Sequence, residues 1–270
     1  MDTPEIVLPT CEVSMDPETA VEIGLGWGIR HFELKTLWEG KRVPLITEPQ
    51  RAQLINLARN YGVSFPVLSP GLFIGTEAQD AIADREVADK LPGSIDLAHA
   101  LNAKLLVIFS FRKTEGVPEA WVVERLGRVA EAAHGSGLTL AIEPLPGNYG
   151  DSGQALQRLV EQVGDPFLRV NWDAANVAAA GYAAYPDEYD AVRPYVAHVH
   201  LKNYRGEAKR WALFDVGDID LRAQLDALRR DGYRGYLAIE THTRFNPEFS
   251  PVIAASKHNL DVLRGWLGEG

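Results

Sequence analysis

The chain has 270 residues, 46% of them apolar, and a formal net charge of −10. That length admits one large α/β domain or two small ones, with apolar side chains enough for a sizeable core. The acidic balance argues against a nucleic-acid surface, which needs a basic footprint, and no apolar run nears the ~20 residues that span a bilayer.

Short runs rich in Val, Ile and Leu alternate with longer segments of helical periodicity. Strands are predicted near 5–9, 30–35, 64–69, 104–110, 138–143, 168–173, 196–201 and 236–240. Most are nearly continuous apolar runs, such as Lys104-Leu105-Leu106-Val107-Ile108-Phe109, as parallel strands covered by helices require.

The first helix opens at Asp16-Pro17, an N-cap followed by proline at the first helical position. Thr47 with Gln50 reads as a capping box. Leu54, Ile55, Ala58 and Tyr61 then share a face, and Gly62 suits the left-handed stop. Pro92-Gly93 predicts a kink or a break into two pieces in the third helical segment. Asp151 with Gln154 opens a helix that stops at Gly164, and 176–194 reads as a short helix plus loop. Asp220 opens a helix stopped at Gly232, and Ser250-Pro251 starts the last one.

Eight strand–helix units predict an α/β fold, a single (β/α)8 barrel occupying 1–270 as one domain. The competing doubly wound sheet is disfavoured, because no G-x-G-x-x-G follows any predicted strand.

Catalytic groups of such barrels sit at the C-terminal strand ends. Four consecutive predicted strands end in metal-ligand residues: Glu143 after Leu140-Ala141-Ile142, Asp173 after Val170-Asn171-Trp172, His200 in His198-Val199-His200, and Glu240 after Leu237-Ala238-Ile239. Any one alone reads as a loop carboxylate or a satisfied histidine. Together at equivalent positions they predict a single site for one divalent ion, with Mn²⁺, Mg²⁺, Co²⁺ or Zn²⁺ suited to three carboxylates and an imidazole. Such an ion relieves the repulsion among the carboxylates.

Leu140-Ala141-Ile142-Glu143-Pro144, Trp172-Asp173-Ala174-Ala175-Asn176, His198-Val199-His200-Leu201-Lys202 and the tail from Gly217-Asp218 to Glu240 make the chain resemble the xylose isomerase-like TIM barrels. That group includes sugar and sugar-phosphate isomerases and epimerases and, more distantly, endonuclease IV. The resemblance covers almost the whole chain. It implies that Glu143, Asp173, His200 and Glu240 are the metal ligands, and that Glu143 and Glu240 exchange a proton beside a substrate carbonyl through an enediolate. Two departures bear on substrate. Asn176 stands where ketose 3-epimerases usually carry His, and Lys202-Asn203 stands where many members read Lys-Asp.

Further candidates for substrate contact are Glu33 on the second strand, Arg112 just after the fourth, Asn176, Lys202, Arg205 and His242. Glu33 equally suits a place behind a ligand. Lys202 equally reads as a solvated strand-end lysine, and Arg205 lies in a run that reads more simply as a solvated loop. His198 reads as a hydrogen-bonded core histidine. Trp27, Trp38 and Phe73 are candidate walls of a sugar pocket or plain packing. His31, His99, His134 and His258 read as structural.

The expected activity is therefore metal-dependent isomerisation or epimerisation of a small carbohydrate. The alternatives are a lyase or dehydratase acting on keto-inositols or 3-keto sugars and, remotely, a DNA-repair endonuclease, which the charge disfavours. A homodimer is a possible assembly; no nucleic-acid or membrane partner is expected. Cys11 is the one cysteine, so no intrachain disulfide and no cysteine-based zinc site is expected. Met1-Asp2-Thr3-Pro4-Glu5 lacks a basic segment followed by an apolar run, so the expected location is the cytoplasm.

Overall fold

All eight predicted apolar runs form strands in the computed structural model, which describes residues 4–243 and 248–268. They are β1 (Glu5–Pro9), β2 (His31–Leu34), β3 (Ser64–Leu72), β4 (Leu105–Ile108), β5 (Thr139–Ile142), β6 (Leu168–Trp172), β7 (Val196–Leu201) and β8 (Tyr236–Ile239). Each pairs in parallel with its neighbours in chain order, and β1 pairs with both β2 and β8, which closes the barrel. Closure removes both sheet edges, so every strand is buried on two faces.

The pleat sorts the side chains. Leu106, Ile108, Leu140 and Ile142 face outward into the main apolar cluster shared with the helices. Val67, Leu105, Val107 and Ala141 form a separate small cluster. Ala141 lies two residues before Glu143, on the same strand face, so this cluster fills the barrel beneath the predicted ligands. This apolar floor and the paired strands hold the tips above them in place.

The helix signals fare well in detail. In α1 (Pro17–Gly26) the Asp16 carboxylate accepts from the Thr19 N–H at 2.9 Å. The Thr47–Gln50 capping box opens α2 (Glu48–Tyr61), and Gly62 takes the left-handed conformation after it, at φ 62°. Two expectations change. α3 (Asp80–Leu101) runs through Pro92 as one helix, which excludes the break into two pieces but not the kink. Gly93 packs on Pro44, with the position of a Cβ there 3.1 Å from the proline ring, and Ser94 Oγ donates to Lys90 O. After α4 (Glu119–Gly135), the cap of α5 (Gly153–Val163) is Ser152, one residue beyond Asp151. Asp151 instead pairs with Lys113 at 2.7 Å.

Beyond β6 come the short helices α6 (Ala174–Ala179) and α7 (Tyr189–Val192), as the Ala-, Gly- and Tyr-rich stretch suggests. Asp220 caps α8 (Leu221–Arg230), and α9 (Val252–Leu267) follows Pro251. No helix among the described residues is long and apolar enough to cross a membrane. Two antiparallel hairpins rise from the C-terminal end of the barrel: Thr36–Leu37 with Lys41–Arg42, and Asn203–Arg205 with Arg210–Ala212. Asn203 explains its own departure from the Lys-Asp pattern. Its buried amide donates to Phe214 O and Ile219 O and accepts from the Tyr204 and Ile219 N–H groups, which ties down the loop after the second hairpin.

Candidate metal centre

Glu143, Asp173, His200 and Glu240 meet at the C-terminal mouth, each delivered by its own strand. The ladder continues one peptide past the strand ends: Glu143 N–H donates to Ile108 O at 2.9 Å and Glu240 N–H to Leu201 O at 3.0 Å. Asp173 is also the N-cap of α6, so Oδ1 accepts from Asn176 N–H at 2.9 Å and Oδ2 is left for the centre. One donor atom from each of the four lies within 4.8 Å of the others, and all four side chains are buried.

The histidine is set from behind. His200 Nε2 lies 3.1 Å from Glu33 Oε2, and His198 Nε2 lies 3.0 Å from the same oxygen. A carboxylate only accepts, so both Nε2 atoms carry the proton. Glu33 is a buried carboxylate, yet the two imidazoles outweigh burial and hold it ionised, well below the ordinary range. His200 Nδ1 then points at Glu143 Oε2 (3.3 Å) and Glu240 Oε2 (3.5 Å). It is buried without a well-formed hydrogen bond, the position in which a ligand lone pair belongs.

Two lysines complete the charge pattern. Lys202 Nζ bridges Asp173 Oδ2 (2.8 Å) and Glu240 Oε2 (2.7 Å), and Lys35 Nζ pairs with Glu240 Oε1. Burial opposes both ammonium groups, but the carboxylates around them hold them charged. Five buried carboxylates, Glu12 and Glu33 among them, face two ammonium groups and the His200 ring, so the fully ionised cluster is short of positive charge. A divalent ion supplies that charge, and the donor set fits one.

Burial pushes Glu143 toward the neutral form, but His200 outweighs it and the carboxyl lies below its ordinary range. Glu240 is drawn well below by Lys202 and Lys35 in spite of burial. Asp173 goes the other way: burial outweighs Lys202 and raises it to about 6. Burial, then Glu240, raise Glu12 to about 7. Burial opposes the charged form of His200, yet Glu33, Glu143 and Glu240 lift its pKa well above the ordinary value.

These three raised groups fix the sign of a pH effect. A group raised on folding stabilises the fold below its unfolded value and loses that contribution as pH rises through its folded value. His198 and His242, both depressed by burial, act the other way below the ordinary imidazole value, so the metal-free protein is expected to lose on the order of 2 kcal/mol between about pH 6.5 and 8. Metal binding, which needs the deprotonated ligands, should flatten or reverse the slope. Thermal melts across that range, with and without a chelator, check it; a metal-free protein that gains stability toward pH 8 contradicts it.

A cavity of about 410 Å³ opens above the cluster, within the range of small-ligand sites. Glu12, Lys35, Glu143, Asn176, Lys202 and Glu240 give it polar walls, and Ile74, Phe109 and Trp211 apolar ones. Asn176 Nδ2 donates to Glu143 Oε1 (2.9 Å) and Asn171 Nδ2 to Glu143 Oε2 (3.2 Å), so two amides orient that carboxylate. His242 lines the same cavity, its Nδ1 3.7 Å from Glu240 Oε2 and its ring edge-on to Trp211.

Of the residues expected at the site, the structure brings together Glu143, Asp173, His200, Glu240, Asn176, Lys202 and His242, with Glu33 one layer below. Arg112 and Arg205 stand outside it. Arg112 is about half exposed and pairs with Glu77, and the Arg205 guanidinium donates to Val216 O at 2.9 Å. Both belong to loops that find acceptors of their own. Trp27 and Trp38 pack against the apolar cluster, and Phe73 stacks on Phe111. His31, His99, His134 and His258 bond Ser64, Ser136 O, Asp165 and Asp215 away from the cavity.

Sequence reasoning missed Lys35, Asn171, Glu12 and Trp211. The first two were within reach of the two-residue repeat, since Lys35 lies two beyond Glu33 and Asn171 two before Asp173. Glu12 sits in a turn after β1 and Trp211 in a hairpin, where no periodic signal exists.

Comparison with known proteins places the chain. A profile described as xylose isomerase-like TIM barrel matches residues 21–266, so the chain belongs to that family. No curated protein matches its sequence. Among solved structures, a xylose isomerase domain protein from Planctomyces limnophilus superposes with a TM-score of 0.79 at 19% identity, over 98% of each chain. An L-ribulose 3-epimerase gives 0.79 at 19%, over 99% of this chain and 95% of the other. A probable 3-DHS dehydratase from Bacillus anthracis gives 0.73 at 15%, over 94% and 97%. At these identities the likeness is one of fold.

Proposed function

We propose that the chain is a divalent-metal-dependent isomerase or epimerase of small keto or aldo sugars, with Glu143, Asp173, His200 and Glu240 as ligands and Glu143 and Glu240 as the proton-transfer pair. The observation that carries this reading is the placement of two cavity-lining carboxylates on either side of His200 Nδ1, at 3.3 and 3.5 Å. A bound divalent ion supplies a Lewis acid that polarises the substrate carbonyl and makes the neighbouring C–H acidic. The protein residues do the rest. Asn171 and Asn176 hold Glu143, and Lys35 and Lys202 hold Glu240, so neither carboxylate must reorganise to meet a proton. One takes the proton from the carbon beside the carbonyl and the other delivers one. The atom and face receiving it decide whether the product is an isomer or an epimer.

Elimination is the second reading, and Glu12 favours it. A buried acid raised to about 7 beside the same cavity keeps a proton near neutrality that a leaving hydroxyl can accept. Product formula separates the two, since isomerisation conserves it and elimination releases water or another group.

The test is metal analysis of the purified protein joined to a solvent-deuterium exchange screen over ketoses, keto-inositols and keto acids. One ion per chain and exchange of one carbon-bound proton, abolished by chelation and restored by Mn²⁺, Mg²⁺, Co²⁺ or Zn²⁺, are expected. Exchange that survives complete metal removal overturns the reading.

A further inference from the structure

The three cations lining the cavity are not equivalent. Lys35 and Lys202 are consumed by Glu240 and Asp173. Arg42, on the hairpin after β2, lines the same cavity, yet its guanidinium makes no hydrogen bond or ion pair with any described residue, and Nη1 is buried. Glu12, Glu143 and Glu240 line the cavity too, and none of them pairs with it. Arg42 therefore stands apart from the ligand cluster, at a place a substrate's far end can reach.

Its position is built. The backbone of Arg42 pairs with Thr36 across the hairpin, and its N–H-bearing end lies along Gly71. A Cβ at Gly71 would come within 3.3 Å of Arg42 Cδ, Nε and Cζ, and Gly71 has φ +68°. Glycine thus leaves the space that the guanidinium fills. Arg42 lines the cavity with no hydrogen-bond acceptor of its own among the described residues, so an acceptor can arrive with the ligand. A guanidinium fork matches the two oxygens of a carboxylate or of a phosphate.

We infer that Arg42 is a substrate-binding residue that selects an anionic substrate, a sugar acid or a sugar phosphate, by gripping its carboxylate or phosphate while the carbonyl end faces Glu143 and Glu240. This deepens the proposed function and rests on it only for the identity of the carbonyl end.

The test uses three six-carbon probes without an aldehyde or ketone: sorbitol, gluconate and sorbitol 6-phosphate. Their affinities are measured by calorimetry on the metal-loaded protein for wild type, R42M and R42K, with circular dichroism to confirm folding. Wild type should prefer gluconate or sorbitol 6-phosphate to sorbitol by about tenfold or more, and whichever anion gains identifies the group. R42M should lose most of that preference, and R42K should keep part of it through charge without the fork. Any direct grip of the bound ion on an anionic probe is common to wild type and variants and cancels in the comparison. Equal preference in wild type and R42M overturns the inference, as does tighter binding of sorbitol. The probes cannot react, so absence of proton exchange would defeat the proposed chemistry and leave this outcome untouched.

Discussion

Glu143→Gln is expected to lower turnover and substrate proton exchange about 100- to 10,000-fold at saturating metal, the contribution of a positioned general base. Glu240→Gln should also fall, by a smaller factor in the direction where Glu143 is the base. The two carboxylates are not held alike. Glu240 lies between two ammonium groups that draw it well below the ordinary range, whereas two neutral amides orient Glu143 and the His200 ring lowers it. Amides orient Glu143 without neutralising it, which suits abstraction there, and the proposed acid step then falls to Glu240. Loss of one ligand also weakens metal binding, so the comparison needs bound metal measured in each variant. Undiminished exchange in metal-loaded Glu143→Gln sinks this assignment. An equal loss in both variants would remove the asymmetry between them.

Much of this was legible because one pattern serves both fold and site. The apolar run that makes a strand parallel and doubly buried is the same run that delivers the next residue to the barrel mouth. Ile142 before Glu143, Trp172 before Asp173 and Ile239 before Glu240 show it directly. His200, inside its strand, is placed by the two-residue repeat it shares with His198.

Legibility stops where a side chain leaves a loop or serves two neighbours. Arg112 and Arg205 lie close in sequence to strand ends, but Glu77 and a carbonyl of the same loop turn them outward. The cap of α5 moved from Asp151 to Ser152 because Lys113, 38 residues away, claims the carboxylate. Lys202 read equally well as a solvated lysine, because its two carboxylate partners come from other strands. Arg42 carries no sequence signal at all, since what marks it is the absence of a partner among the described residues in a cavity rich in carboxylates.

Lys202→Met should destabilise the metal-free protein by about 3–5 kcal/mol, the cost of stranding buried charge by removing its partner. Asp173 Oδ2 and Glu240 Oε2 both lose their counter-charge, and Lys35 reaches only the other oxygen of Glu240. The ammonium stands between two residues of the ligand set and neutralises the carboxylates that an ion would also neutralise. Adding a saturating divalent ion should therefore recover more stability in Lys202→Met than in wild type. The ion stabilises wild type by about 2.7 kcal/mol at a hundred times its dissociation constant. In the variant it also relieves the repulsion left by the missing lysine. Thermal melts of both proteins, with chelator and with Mn²⁺, read out the difference. A larger metal-induced rise in the variant supports an ion held by Asp173 and Glu240. An equal rise in both proteins means that Lys202 and the ion do not share those carboxylates, and the four-residue ligand set would have to be redrawn.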